Sequence, residues 1–195
     1  VKVVLASNNA KKLKELSEIL GPLGWELIAQ EALGVPEAEE PHCTFVENAL
    51  AKARHAARVT GLPALADDSG LCAEALGGAP GVYSARYAGE PKSDARNNEK
   101  LVAELRKQTN RKAHFVSLIV FLRHADDPQP VICEGEWHGE IIDAERGGAG
   151  FGYDPLFYLA DLGKTSAELP AAEKNRLSHR GQALAKLVAR LQERP

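Results

Sequence analysis

Residues 2–20, KVVLASNNAKKLKELSEIL, decide the fold class. Lys2 to Ala6 is a β-branched and aliphatic run, Ser7-Asn8-Asn9 a polar loop, and Leu13, Leu16, Ile19 and Leu20 recur at helical spacing. The segment predicts strand, loop, helix, the opening of an α/β fold. At the joint, backbone N–H groups and the helix dipole favour an anion, and Lys11 and Lys12 add formal charge. The Gly-x-x-x-x-Gly-Lys-Ser/Thr spacing of a Walker loop is missing, so by itself the joint also fits an Asn-rich cap with a solvated lysine face.

Working outward, Gly21-Pro22 stops the helix and Trp25 to Ala29 reads as a second strand. A polar stretch with Glu37, Glu39 and Glu40 leads into Thr44-Phe45-Val46-Glu47, a capping-box pattern that opens an Ala-rich helix running to about Arg58. After Gly61-Leu62-Pro63, Ala64-Leu65-Ala66 predicts a short buried strand that delivers an Asp67-Asp68-Ser69-Gly70 turn. Glycines 77, 78 and 81 keep the chain irregular to Arg86, and Ser93 or Asp94 caps a helix to Lys107 with Leu101, Val102 and Leu105 inward. Phe115 to Arg123 and Val131 to Ile142 read as an antiparallel hairpin joined by Asp126-Asp127-Pro128. Gly147 to Gly152 precedes Tyr153-Asp154-Pro155, and a last helix carries Leu184, Leu187, Val188 and Leu191 on one face. The expected fold is one α/β domain over residues 1–195, a mixed sheet with parallel and antiparallel pairing flanked by helices.

The 195 residues are 44% hydrophobic and 26% charged, with no biased tract, which is the profile of an ordinary globular domain. A net charge of -3 excludes the sequence-independent grip on duplex nucleic acid that many phosphate contacts require, so an anionic ligand needs a local basic pocket. The longest apolar run, Leu118 to Leu122, is far below the roughly 20 residues that span a bilayer, and the N-terminus lacks a signal-type apolar core. Cys43, Cys72 and Cys133 are odd in number, far apart and without zinc spacing, so the expected setting is reducing and cytoplasmic, with no membrane association.

Four segments carry chemistry. Adjacent carboxylates after a buried strand are costly unless hydrogen-bonded or bound to a cation, so Asp67-Asp68 points to a metal site or to a solvated Asx-type turn. Neighbouring side chains on an extended segment point opposite ways, so one of the two is expected to face a site. The Glu37, Glu39, Glu40 cluster offers a second carboxylate or a solvated acidic loop. Phe151-Gly152-Tyr153-Asp154 combines aromatics, glycine and a carboxylate, suited to stacking on a base and accepting from its ring N–H, or to a core-packed turn. Lys174, Arg176, His179 and Arg180 form a basic set before the last helix; such donors match a purine 6-oxo group and oppose the 6-amino group of adenine, and they also fit a charged helix end.

In order along the chain, Ser7-x-Asn9-x-x-Lys12, Thr44-Phe45-x-Glu47-Asn48-Ala49 with Lys52-Ala53, and Ala66-Asp67-Asp68-Ser69-Gly70-Leu71 are followed by three more motifs. These are Gly77-Gly78-Ala79-Pro80-Gly81 with Ser84-Ala85-Arg86-Tyr87, Gly150-Phe151-Gly152-Tyr153-Asp154-Pro155, and Ser178-His179-Arg180. Over nearly its whole length the sequence resembles the inosine triphosphate pyrophosphatase family, the non-canonical purine nucleoside-triphosphate pyrophosphatases. The resemblance implies an elongated mixed sheet with two lobes and a central cleft, a homodimer, and magnesium-dependent hydrolysis of ITP, dITP and XTP to the monophosphate and pyrophosphate. It implies Asp68 as general base and Mg2+ ligand, and Glu40 as the second metal carboxylate. Ser7, Asn8, Asn9, Ala10, Lys11, Lys12 and Lys52 would hold the triphosphate, with Ser69 beside it. Phe151, Gly152, Tyr153, Asp154, Lys174, His179 and Arg180 would bind the base. Two alternatives are a pyrophosphatase of the related Maf type acting on modified pyrimidine triphosphates, and a silent nucleotide-binding sensor; the Phe151 segment and the basic set favour purines, and Asp68 with Glu40 favours catalysis.

Overall fold

Strand β1 (Lys2–Leu5) buries Val3, Val4 and Leu5 completely, because it pairs in parallel on both sides, with β2 (Glu26–Ala29) and with β3 (Ala64–Ala73). A strand so enclosed needs apolar residues at successive positions, and the sequence supplies them. The computed structural model describes residues 1–193. Across β4 (Lys112–Leu122), β5 (Val131–Ile141), β6 (Phe157–Leu159) and β7 (Lys164–Thr165), hydrogen bonding gives the order β2-β1-β3-β4-β5-β6-β7, seven strands among the described residues. β5–β6 and β6–β7 are antiparallel, so the sheet is mixed, as the sequence predicts. The link from β4 to its neighbour β5 is far shorter than a parallel crossover requires, which makes that pair the expected hairpin. Buried and exposed residues alternate along β5, leaving one of its faces toward water.

The helices are α1 (Ala10–Leu20), α2 (Phe45–Thr60), α3 (Asp94–Leu105), α4 (Ala171–Leu177) and α5 (His179–Gln192). Among the described residues, no helix is long and apolar enough to cross a membrane. The described residues form two compact units, one of Val1–Asp68, Leu118–Glu134 and residues 183–193, the other of Ser69–Ser117 and Gly135–Gln182. The first has a core of Val3, Leu5, Leu16, Leu20, Leu65, Ile119, Leu184 and Leu187, with Trp25 tilted on Phe121 at 4.6 Å. The second packs Leu71, Leu101, Leu105, Phe115, Trp137, Tyr153 and Phe157. Each fully buried aliphatic or aromatic side chain contributes about 1.5–3 kcal/mol of transfer free energy.

Three expectations need correction. Asp67-Asp68-Ser69-Gly70 is not a turn but the middle of β3, and Gly70 has no positive φ there. Ion pairs from Lys12 and Lys52 neutralise the two acids, which removes the electrostatic reason for the chain to leave the sheet. The Thr44 capping box is only half of the reciprocal form: the Thr44 hydroxyl accepts the Glu47 N–H at 3.3 Å, but the Glu47 carboxylate takes the hydroxyl proton of Thr44 at 2.5 Å. The basic set, finally, straddles two helices. Lys174 and Arg176 lie on α4, while His179 and Arg180 open α5 rather than precede it. Extended Ser178 separates the helices, and a Cβ on Gly181 would lie 1.8 Å from the Asn175 carbonyl oxygen, so only glycine allows so close an approach.

Candidate active site

In the first unit, the site is assembled on β3 and α2. Thr44 caps α2 and sets its rotation, so that Ala49, Ala53, Ala56 and Ala57 are buried and Lys52 lies beside the strand. The Lys52 ammonium donates to Oε1 of Glu40 at 2.7 Å, to Oδ1 of Asp68 at 2.9 Å and to the Asp67 carbonyl at 3.1 Å. Glu40 rather than the adjacent, exposed Glu39 reaches this cluster, while Glu37 accepts from the Asn8 carboxamide at 3.2 Å. Burial is the largest influence on Asp68 and pushes its carboxyl up to about 6; Lys52 pulls the other way, and Glu40 and Asp67 add to the rise. Burial also works against the charge of Lys52, but Asp68 and Glu40 outweigh it and hold the ammonium above its ordinary value. A carboxylate poised near neutrality can accept a proton at physiological pH and release it again.

Asp67 points away from Asp68 and engages Lys12, its Oδ2 2.6 Å from the ammonium and its side chain 2% exposed. The loop leaving β1, with the first turn of α1, is therefore tied to the strand. The Asn9 side chain caps α1 by accepting the Lys11 and Lys12 N–H groups at 3.0 and 3.2 Å, and the Ser7 hydroxyl accepts the Asn9 N–H at 3.1 Å. These amides, expected from the sequence to be open to an anion, are already satisfied. What the loop offers is cationic charge: Lys12 held by Asp67, and exposed Lys11, with Asn8 and Ala10 also at the surface.

In the second unit, Ser69 is half-buried in β3, and a separate cluster surrounds Asp154. The Asp154 carboxylate is 3% exposed and accepts the Phe151 N–H at 2.9 Å, the Ser166 hydroxyl at 2.8 Å and the Lys174 ammonium at 2.5 Å. It thus fixes the loop's shape. Gly150, at φ +79, is obligatory, since a Cβ there would fall 2.2 Å from Asp154 Oδ2. The two aromatics divide: Phe151 exposes 57% of its surface beneath the Lys174 ammonium, 5.2 Å from the ring centre, whereas Tyr153 is buried and donates to the Ser84 carbonyl at 2.6 Å. Burial raises the Tyr153 hydroxyl well above its usual range, so it stays a donor. His179 stacks on Phe115 with centroids 4.9 Å apart, and Arg180 is 9% exposed beside it in sequence. Phe151 is the aromatic ring of this segment open to a stacking partner.

Ser166, which holds Asp154, carries no sequence signal, and Ser84, which holds Tyr153, lies in a motif that gives no sign of this role, because the contacts join residues 12 and 69 positions apart. A cavity of about 620 Å³ in the second unit, lined by Trp137, His138, Glu140 and Tyr158 among others, contains none of the expected site residues.

A model of the Ham1 family matches residues 3–190. The dITP/XTP pyrophosphatase of Ralstonia nicotianae is 67% identical over 193 residues, spanning 97% of this chain and 96% of its own. That of Aromatoleum aromaticum is 63% identical, spanning 100% and 98%. Among solved structures, a Ham1 protein from Coxiella burnetii superposes with a TM-score of 0.96 at 50% identity, covering 99% of both chains. The Ham1 protein of Staphylococcus aureus gives 0.92 at 41% identity, covering 100% of each.

Proposed function

From its membership of the Ham1 family, to which this chain belongs, and from the Asp68 cluster, we propose that it hydrolyses the non-canonical purine triphosphates dITP, XTP and ITP to the monophosphate and pyrophosphate. The observation that carries this is Asp68: a half-buried carboxylate raised to about 6, bonded to Lys52 and sharing that lysine with Glu40. The removal of such nucleotides from the precursor pool is the role that follows.

The donor set fits magnesium. Glu40 and Asp68 both bond one ammonium, so their carboxylates face a common point, and they are the hard ligands magnesium prefers. Among the described residues no three His, Cys, Asp or Glu side chains form a complete cage, which suits an ion that draws its remaining ligands from substrate phosphates and water. Magnesium held there supplies charge neutralisation for the phosphate oxygens and for the pyrophosphate leaving group.

The chain's own groups do the rest. The Asp68 carboxylate orients a water for in-line attack on the α phosphorus and takes its proton as the new P–O bond forms and the bond to pyrophosphate breaks. Lys52, Lys12 and Lys11 donate to the triphosphate, with Ser7, Asn8, Asn9, Ala10 and Ser69 lining its path. Phe151 stacks on the base, Lys174, His179 and Arg180 supply the polar contacts that favour a 6-oxo purine, and Gly152, Tyr153 and Asp154 hold that segment in shape. We further propose that the enzyme works in the cytoplasm as a homodimer, a setting suited to its free Cys43, Cys72 and Cys133.

A panel of ITP, dITP, XTP, ATP and GTP, assayed for pyrophosphate release with and without magnesium, tests this. Turnover of the first three in magnesium only, with ATP poor, is expected; the 6-oxo contacts alone do not exclude GTP, whose rate reads any further selection at the 2-position. No pyrophosphate from any purine would leave the protein as a binding module.

A further inference from the structure

Helix α3 grips Gly152 by both of its backbone polar groups. The Gly152 N–H donates to Oδ2 of Asp94 at 2.8 Å, and the Gly152 carbonyl accepts from Nδ2 of Asn98 at 3.1 Å. Asp94 and Asn98 are four residues apart and so lie on one face of the helix. Asp94 is exposed at the first turn, behind the Ser93 cap, whereas Asn98 is 5% exposed and gives its carboxamide also to Oε1 of Glu145 at 3.1 Å. Both Asn98 partners are acceptors, which fixes the amide with its NH2 toward them.

The grip falls where the loop has least to hold it. Gly152 sits at φ +61 and Gly150 at φ +79, in a stretch that also contains Gly147 and Gly148. Between them Phe151 keeps 57% of its surface in solvent, so its ring is not fixed by packing. Besides the Lys174 ammonium over the ring, its position depends on main-chain anchors: its own N–H on the Asp154 carboxylate and its carbonyl on the Asp154 N–H to one side, and Gly152 on α3 to the other. Without them a glycine-rich segment must be ordered each time a ligand stacks on the ring, and that entropy is lost from the affinity.

We propose that Asp94 and Asn98 are positioning residues for purine recognition, holding Phe151 as a preformed stacking platform by clamping the backbone of Gly152. The proposal rests on the reading that Phe151 receives the base. Because the clamp acts on ground state and transition state alike, it sets KM and leaves kcat nearly unchanged, and because stacking is tolerant of the base it acts on ITP and ATP alike.

Steady-state kinetics on ITP and ATP with magnesium, for Asp94→Ala, Asp94→Asn, Asn98→Asp and Phe151→Ala, provide the test. Asp94→Ala is expected to raise the KM for both ITP and ATP about 5–10-fold, the loss of one charge-assisted hydrogen bond only partly transmitted to the ligand, with kcat within about twofold and the ITP over ATP preference little changed. Asp94→Asn keeps an acceptor oxygen for the Gly152 N–H while removing the charge, and should restore near-normal values. Asn98→Asp sets an acceptor against two acceptors and should match or exceed the Asp94→Ala effect. Since Asn98 is buried and its variant can fail to fold, exposed Asp94 carries the decision. If Asp94→Ala leaves KM unchanged while Phe151→Ala raises it, the clamp is refuted and the base reading stands. If Asp94→Asn behaves like Asp94→Ala, helix-end charge rather than the hydrogen bond is responsible, which also overturns the clamp. An unaffected Phe151→Ala removes the base reading and the proposal together.

Discussion

The Lys52 ammonium lies 2.9 Å from Oδ1 of Asp68, and yet the Asp68 carboxyl is raised to about 6 rather than lowered. An ion pair normally holds a carboxylate ionised. Here burial exceeds the pull of the lysine, and the same lysine is divided among Asp68, Glu40 and the Asp67 carbonyl. The carboxylate is thus kept basic enough to take a proton.

Asp68→Asn preserves volume and an acceptor but cannot take up a proton. Turnover of ITP should fall by about 100-fold or more, with thermal unfolding still a single cooperative transition. Near-normal turnover in the folded variant would remove Asp68 from the role of base.

The raised carboxyl also has a signature in stability. Since its folded value exceeds the ordinary carboxylate value near pH 4, the folded state retains a proton that the unfolded chain has lost between about pH 4 and pH 6. The stability contribution of Asp68 is therefore full below about pH 4, declines as pH rises to about 6 and is level beyond. In metal-free protein, the unfolding temperature of wild type relative to Asp68→Asn should decline across that window. A constant difference from pH 4 to pH 8 would mean an ordinary carboxyl.

Gly150→Ala tests the Asp154 latch. The substitution forces a left-handed alanine and drives its Cβ into Asp154 Oδ2, so the loop must shift. Destabilisation of more than about 1 kcal/mol is expected, together with a higher ITP KM, measured by chemical denaturation and initial rates. A variant as stable and as tight-binding as wild type would show that the latch is dispensable.

On the proposed reading base choice falls to Arg180 and Lys174, which differ in what else they hold. Lys174 also neutralises Asp154, so Lys174→Ala should lower both stability and the ITP over ATP preference. Arg180→Ala should reduce that preference by about 10-fold or more. Equal losses on ITP and ATP for Arg180→Ala would separate this residue from base selection.

Much of this was legible in the sequence, for reasons that particular residues make clear. The run from Lys2 to Leu20 fixed strand, loop and helix because a continuous β-branched and aliphatic run and helical spacing are local properties. Asp67-Asp68 was misread as a turn because two acids in a strand look untenable until their cations are known, and those cations come from residues 12 and 52. α4 was missed as a separate helix because its seven residues give too short a window for periodicity.

The sequence by itself determined the α/β class, the order of the first five strands and of the four longer helices, and the family, since these follow from periodicity, capping residues and motif order. Tertiary structure alone decided which carboxylate meets which lysine: Asp67 with Lys12, Asp68 and Glu40 with Lys52, Asp154 with Lys174. It also decided that Phe151 is exposed and Tyr153 buried. The physical reason is that charge neutralisation and burial act through space over a few ångströms, between residues whose separation along the chain has no bearing on their encounter.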